Sequence, residues 1–431
     1  MTKRPENKSA SRRDFLKGTA VAGTAAMAAN LTMLGNVHAQ GNDVIRVGLV
    51  GCGGRGTGAA SQCLRGGANV RLVAMGDAFR DRLNSSFNTL RNDQPIRDSI
   101  DVPDERKFVG IDAYRNVINS CDLVILATPP GFRPTHIQAA VAARKHIFTE
   151  KPVAVDGPGV RACLAAFEQA NRNRLSVVAG TQRRYQTGYR QSMERIHGGD
   201  IGTLTSARVY WNQGGLWHRD RGENMGDLEW QLRNWLYFTW LSGDHIVEQH
   251  IHNLDVVNWA TGNRHPLRAV GMGGRQVRTA AQFGHIFDHF AIEYEYPNGL
   301  HVMSMCRQIN GCENNVSEAI TGTAGTWTSR NYRITGQRAW NFPGRQDNDP
   351  YQAEHVALIN SIRENRPIND LKNVAESTLT AIMGRMTAYT GRAVTWEQAL
   401  NSRQNLMPER LAFDMNLPVP AVAVPGQTEL T

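Results

Sequence analysis

The stretch SGDHIVEQHIHNLDVVNW, residues 242–259, gathers groups that can move protons. Three histidines, a glutamate and two aspartates fall within residues 244–255. Taken as one helix at about 100° per residue, His245, His252 and Asp255 fall within roughly 60° of Glu248, and Ile246, Val247, His250, Leu254 and Val257 fall roughly opposite. His250 therefore reads as a core histidine with one satisfied nitrogen. The polar face suits general acid–base work, because an imidazole titrates near neutral pH. His245, Glu248 and His252 can also meet one metal ion from that face. No other ligand motif accompanies them, and no metal is expected.

A second group suits nucleotide binding. GCGGRG, Gly51 to Gly56, is G-x-G-x-x-G, and it follows the apolar run VIRVGLVG and precedes a helical pattern. Gly51 permits the tight turn, Gly53 lets the backbone approach a pyrophosphate, and Gly56 allows close helix–strand packing, with Gly54 and Arg55 between. The helix N-terminus then faces the phosphates. Asp77 ends the next apolar run and is placed to take the adenine ribose hydroxyls, which favours NAD. Arg80, three residues on, offers a partner for a 2′-phosphate, so NADP is the alternative. Glu150-Lys151-Pro152 ends a later run. Proline restrains the backbone there, and a lysine beside a nicotinamide can donate to a substrate oxygen and shuttle a proton.

These residues need a frame. From 44 to about 180, short apolar runs (44–51, 69–77, 121–130, 146–152, 175–182) alternate with helical stretches such as 135–145 and 159–173. That pattern predicts a parallel sheet with helices on both faces. After about 200, TLTSARVYWNQ, LRAVGMGGRQVR, HFAIEYEYPNG, LHVMSMCRQ and VSEAITGT predict strands of a mostly antiparallel sheet with one face covered, and YPNG at 296–299 predicts a hairpin turn. Helices are expected at 351–365 and 370–391. The fold class is α/β: a Rossmann dinucleotide-binding domain at 43–182, an α/β domain with an open sheet at 183–396, and a Pro-rich tail at 397–431, extended or disordered.

Ligands of such sheets bind beyond the carboxyl ends of the strands. Arg183, Arg184 and Tyr185 follow the last strand of the first domain and are expected to point into the cleft. Six of the nine tryptophans lie between 211 and 259. An indole offers an apolar face and a polar edge to a sugar, with Trp217, Trp235 and Trp240 the candidates.

The order and spacing of GxGxxG, Thr128-Pro129-Pro130 with His136, EKP and a later His-x-x-Asp helix resemble the Gfo/Idh/MocA oxidoreductases over essentially the whole mature chain. The resemblance is to an exported branch, with RNW, SGD and EQHIHNLD close together. It implies hydride transfer at a carbinol carbon of a sugar, glycoside or polyol. It implies His252 as the proton acceptor from the substrate hydroxyl, with Lys151 assisting, and Thr128, Pro129, His136 and Glu150 beside the cofactor. Glu248 stands where the family has aspartate, and orients His252 or binds a substrate hydroxyl. Arg184, Tyr185, Trp235, His245 and Asp255 are placed with the substrate. A few members are redox-neutral and act on glycosides; intact EKP and His-x-x-Asp motifs argue against a binding-only protein. The second sheet implies a homo-oligomer, dimer or tetramer.

The N-terminus carries a different message. SRRDFLK at 11–17, a weakly apolar Ala/Gly-rich segment and NVHA ending at Ala39 predict a twin-arginine (Tat) signal peptide at 1–39, cleaved after folded export to the periplasm through the Tat translocase. A protein exported folded in this way can carry a cofactor that the periplasm does not supply. Net charge is +9, and residues 1–39 hold six Lys/Arg and two acids, so +5 remains, spread without a basic block. That excludes a nucleic-acid footprint. Six cysteines lack CxxC spacing, and Cys306 with Cys312 is the pair to test for a disulfide.

Overall fold

The computed structural model describes residues 43–344 and 347–431. The export motif at 1–39 lies outside the described residues. The first sheet is built from β1 (Ile45–Val50), β2 (Val70–Asp77), β3 (Lys107–Val109), β4 (Leu123–Leu126), β5 (His146–Thr149) and β6 (Val177–Ala179). Their order is β3-β2-β1-β4-β5-β6, every pair parallel. Order reverses between β1 and β4, which opens a crevice beyond their carboxyl ends. The short β3, KFV, is absent from the sequence reading because three residues carry no periodicity.

Both faces of this sheet are apolar, as buried parallel strands require. Val47, Leu49, Ile125 and Phe148 pack on one side with Ala59, Cys63, Leu358 and Ile359. Val50, Val124, Leu126 and Ile147 pack on the other with Ile137, Val141 and Val160. Leu358 and Ile359 belong to the helix Pro350–Arg363, so a segment far beyond residue 183 returns to cover the nucleotide-binding sheet.

The second sheet has nine strands: β7 (Leu204–Gln213), β8 (Arg268–Gly274), β9 (His289–Glu295), β10 (His301–Gln308), β11 (Asn315–Gly322), β12 (Gly325–Thr328), β13 (Arg333–Gly336), β14 (Trp340–Asn341) and β15 (Val394–Thr395). β7 and β10 pair parallel and the other pairs are antiparallel. The YPNG turn joins β9 to β10, with Asn298 at φ 66°. Alternation along β9 and β10 turns Phe290, Ile292, Tyr294, Val302 and Cys306 inward to Leu379, Ile382 and Met383 of the helix Leu371–Thr390. Val270, Met272, Met303, Met305 and Val316 stay exposed.

Residues 242–259 are not one helix. Gly243 (φ 77°) and Asp244 (φ 76°) end Thr239–Ser242, His245–Glu248 makes one turn, and Ile251–Ala260 follows after a break at 249–250. Asp244 starts the middle turn by accepting the His245 N–H at 2.5 Å. The tail also differs from expectation. Leu406, Met407, Leu411, Met415 and Leu417 pack on a cluster of Phe132, Leu228, Trp230 and Trp240, because the apolar residues between the prolines find a hydrophobic surface to cover. No helix among the described residues is long and apolar enough to cross a membrane. All six cysteines are free, with Cys306 buried and Cys312 exposed.

Candidate active site

The crevice at the β1/β4 switch is a cavity of about 620 Å³. Its floor is the glycine loop between β1 and the helix Gly54–Leu64. Gly51 sits at φ 93°, and a Cβ there would lie 2.7 Å from the Ala127 and Thr128 backbone. A Cβ on Gly56 would fall 1.9 Å from the Gly51 carbonyl oxygen, so only glycine lets the helix approach β1 this closely. Gly53 and Gly54 face open space, with no atom within 4 Å of an added Cβ. This is a cradle with free backbone N–H groups at a helix N-terminus, and it fits a pyrophosphate.

Asp77, at the end of β2, lines the same cavity. Its carboxylate accepts the N–H of Cys52 at 2.7 Å and of Phe79 at 2.9 Å, while burial pushes its pKa up. It therefore holds the glycine loop and presents its remaining lone pairs to the cavity. At the ends of β4 and β5, Thr128, Pro129, His136, Glu150 and Lys151 form the next wall. Thr128 Oγ1 bonds His136 Nδ1 at 3.2 Å, and burial drops that imidazole to about 3, so it stays neutral. Arg55 of the glycine loop pairs with Glu150 and lies 3.5 Å from Glu354.

The reactive end joins the two domains. The Lys151–Pro152 peptide is cis. Lys151 Nζ donates to the Glu248 main-chain oxygen at 2.6 Å and lies 3.3 Å from its carboxylate. His252, one helical turn on, lines the cavity with Glu248. Its ring stacks on Trp211, centroids 5.6 Å apart. Burial, then Lys151 and Arg183, holds its pKa well below 6.5. A neutral imidazole, an ammonium and a carboxylate thus face one space, and that set can accept and relay a hydroxyl proton.

The four-residue spacing brings Glu248 and His252 together, but other residues placed with the substrate lie elsewhere. His245 is buried outside the cavity, where Nδ1 bonds Asp244 at 2.9 Å and the ring packs on Phe290. The set His245, Glu248 and His252 therefore does not converge on one ion. Asp255 is buried in an ion pair with Arg184, Nε to Oδ2 at 2.8 Å, and also accepts from Ser377. Tyr185 donates to Asp370 at 2.6 Å, and Arg183 pairs with Glu318. Arg183, Arg184 and Tyr185 are thus drawn out of the cleft by three carboxylates remote in sequence, and Gln182, one residue earlier, lines it instead. Trp217 and Trp235 line the cavity; Trp240 is buried and donates to Gln231 at 2.7 Å. His250 is buried, with Nε2 on Ser304 Oγ at 2.7 Å.

Arg80 is exposed, because it opens the helix Arg80–Asn92 on its solvent side; Arg82 faces the cavity. Sequence reasoning also missed Arg133. This buried guanidinium donates to the Pro152 and Thr128 carbonyls and ties the ends of β4 and β5, and burial lowers it to about 10. Nothing in the local sequence marks it. Phe79, Arg219, Arg233 and Tyr351 also line the cavity. The position of Arg82, just past Asp77, was the one available signal.

Comparison with known proteins agrees with this geometry. Residues 45–180 match the model of an oxidoreductase family, NAD-binding Rossmann fold. An inositol 2-dehydrogenase of Klebsiella pneumoniae (strain 342) is 29% identical over 221 residues, 50% of this chain and 54% of that protein. A 2,7-anhydro-N-acetylneuraminate hydratase of Escherichia coli (strain K12) is 26% identical over 178 residues, 41% of this chain and 43% of that protein. The chain thus spans about half the length of the curated relatives it matches. Among solved structures, scyllo-inositol dehydrogenase from Lactobacillus casei, with bound NAD(H) and scyllo-inositol, superposes with a TM-score of 0.63 at 18% identity, covering 82% of this chain and 99% of that one. That likeness extends the fold match across the second sheet.

Proposed function

We propose that this chain, whose residues 45–180 carry the NAD-binding Rossmann domain of the Gfo/Idh/MocA oxidoreductase family, moves hydride between a nicotinamide cofactor and a carbinol carbon of a sugar, glycoside or polyol. One observation carries the reading. Lys151, Glu248 and His252 face the same cavity whose other end is the glycine cradle and Asp77. Gly53 and Gly54 would hold the pyrophosphate of the dinucleotide, Asp77 would accept from its adenine ribose, and Thr128, Pro129 and Glu150 would lie beside the nicotinamide. Bound NAD supplies the hydride acceptor.

The protein's own part is the hydroxyl. Lys151 donates a hydrogen bond to the substrate oxygen. Neutral His252 takes the hydroxyl proton as the C–H electrons leave, and the Glu248 carboxylate offsets the charge that appears on the imidazole. A panel of inositols, aldoses and glycosides, with NAD or NADP added and reduced cofactor followed by absorbance, tests this. Intact nucleotide binding with no turnover of any of them defeats it.

A redox-neutral cycle is the second reading. A relative named as a hydratase supports it, as does the export motif, since the periplasm lacks a nicotinamide pool. Turnover with no added cofactor, by protein that retains nucleotide through purification, would establish it. SRRDFLK and the small-residue site at Ala39 support Tat export, tested by N-terminal sequencing of periplasmic protein. The exposed apolar side chains of the second sheet support a dimer or tetramer, tested by sedimentation.

A further inference from the structure

The adenosine end of the cavity has a second wall that the strand–helix pattern does not supply. Trp217, Arg219, Leu232, Arg233 and Trp235 line the same cavity as Asp77, Phe79 and Arg82, and Arg233 lies over Phe79. Arg233 anchors this segment to the first domain. Its guanidinium bonds Asp81 at 3.0 and 3.1 Å and lies 3.9 Å over the Phe79 ring. Asn234 holds the start of the segment, accepting the Arg219 N–H at 3.0 Å. Arg82 and Arg219 make no ion pair among the described residues, and the Arg219 guanidinium is held below its ordinary value by burial and then by Arg82 and Arg233. Two such guanidiniums thus face one cavity, with Asp77 and Asp81 near enough to feel their charge.

The C-terminal segment holds this wall in place. Leu417 donates its N–H to Asp227 at 2.9 Å and accepts from Gln231 Nε2 at 2.7 Å. Phe413 packs on Phe79, ring centroids 5.9 Å apart. Leu406 donates to Asp156 at 2.9 Å, which moors the segment to the first domain.

We infer that the segment 217–235, clamped by residues 406–417, completes the adenosine subsite, with Arg82 and Arg219 gripping the adenosine half of a dinucleotide from both sides and slowing its release. The inference rests on the reading that this chain binds such a dinucleotide. Guanidinium planes suit this ligand because they stack on a purine and bond ribose and phosphate oxygens.

The test is calorimetric titration of the full chain and of Arg219→Ala and Phe413→Ala with NAD, ADP-ribose and nicotinamide mononucleotide, with stopped-flow release of NAD. Arg219 is exposed and Phe413 is 41% exposed, so the variants are expected to fold, which unchanged melting temperatures would verify. Arg219→Ala is expected to weaken NAD and ADP-ribose about tenfold, and Phe413→Ala to speed NAD release severalfold. Nicotinamide mononucleotide, which lacks adenosine, is expected to bind all three proteins alike. Unchanged NAD and ADP-ribose binding overturns the inference, as does an equal loss for the mononucleotide. An unsubstituted chain that binds none of the three overturns the dinucleotide reading itself, and this inference with it.

Discussion

The ammonium of Lys151 is held by the main chain of Glu248, at 2.6 Å from its carbonyl oxygen, more closely than by its carboxylate at 3.3 Å. The two residues come from different domains, so this contact sets the lysine across the crevice. Because the nearer acceptor is a carbonyl, the glutamate side chain is held only by the longer contact of Oε1, and its Oε2 remains for His252 or the substrate.

Lys151→Ala is accordingly expected to lower kcat by roughly 10²–10⁴, with NAD affinity within a few fold of the unsubstituted chain. Glu248→Gln keeps the main-chain acceptor and is expected to cost less, about tenfold in kcat. Steady-state kinetics with a turned-over polyol, beside NAD titration, checks both. Equal losses would mean that the carboxylate, rather than the carbonyl, sets the lysine.

His252 is neutral in the free protein, since burial and the cations Lys151 and Arg183 disfavour its charged form. The acid limb of kcat/KM for alcohol oxidation is therefore expected well below pH 6.5, not at it. A pH–rate profile with a limb at or above 6.5 would contradict a buried, cation-flanked imidazole as the acceptor.

Stability carries its own pH signature. His136, His250 and His355 are each lowered to about 3 and His285 to about 4, burial first in every case. Their depressed folded-state values mean that the unfolded chain binds these protons more readily. The stabilisation is complete above about pH 6.5 and is lost as pH falls toward 3, by up to about 1.4 kcal/mol per pH unit for each histidine. Denaturant melts between pH 7 and pH 4 would show it; a flat profile would not fit.

Arg184 and Asp255 form a buried pair outside the cavity, side chains 11% and 2% exposed. Asp255→Ala leaves a buried guanidinium without its carboxylate and is expected to cost about 3–5 kcal/mol of stability. Molecules that stay folded should bind NAD and substrate as before. A selective rise in KM with unchanged melting would instead return Asp255 to the substrate.

The half of the site near the nucleotide was legible in the sequence because its geometry is local. A glycine triplet between a strand and a helix, an acid at the end of the next strand, and Glu150-Lys151-Pro152 at the end of another all reach the same edge of a parallel sheet. Glu248 and His252 were legible too, since a four-residue step keeps two side chains together even though the chain breaks at 249–250.

By itself, then, the sequence determined the nucleotide-binding sheet, the cradle, and the four-residue step that keeps Glu248 and His252 on one side, though not that His245 and Asp255 leave it, because strand ends and helical turns depend on neighbours a few residues away. Tertiary structure alone decided the fate of the remaining polar residues. Glu318, Asp255 and Asp370 drew Arg183, Arg184 and Tyr185 out of the cleft, and Asp244 and Phe290 kept His245 in the core. It also decided that Arg82 and Arg219 line one cavity and that Leu417 of the C-terminal segment bonds Asp227 and Gln231 beside it. Charges pair with whichever partner the packed chain brings within a few ångströms, and those partners lie tens to hundreds of residues away, where no local pattern records them.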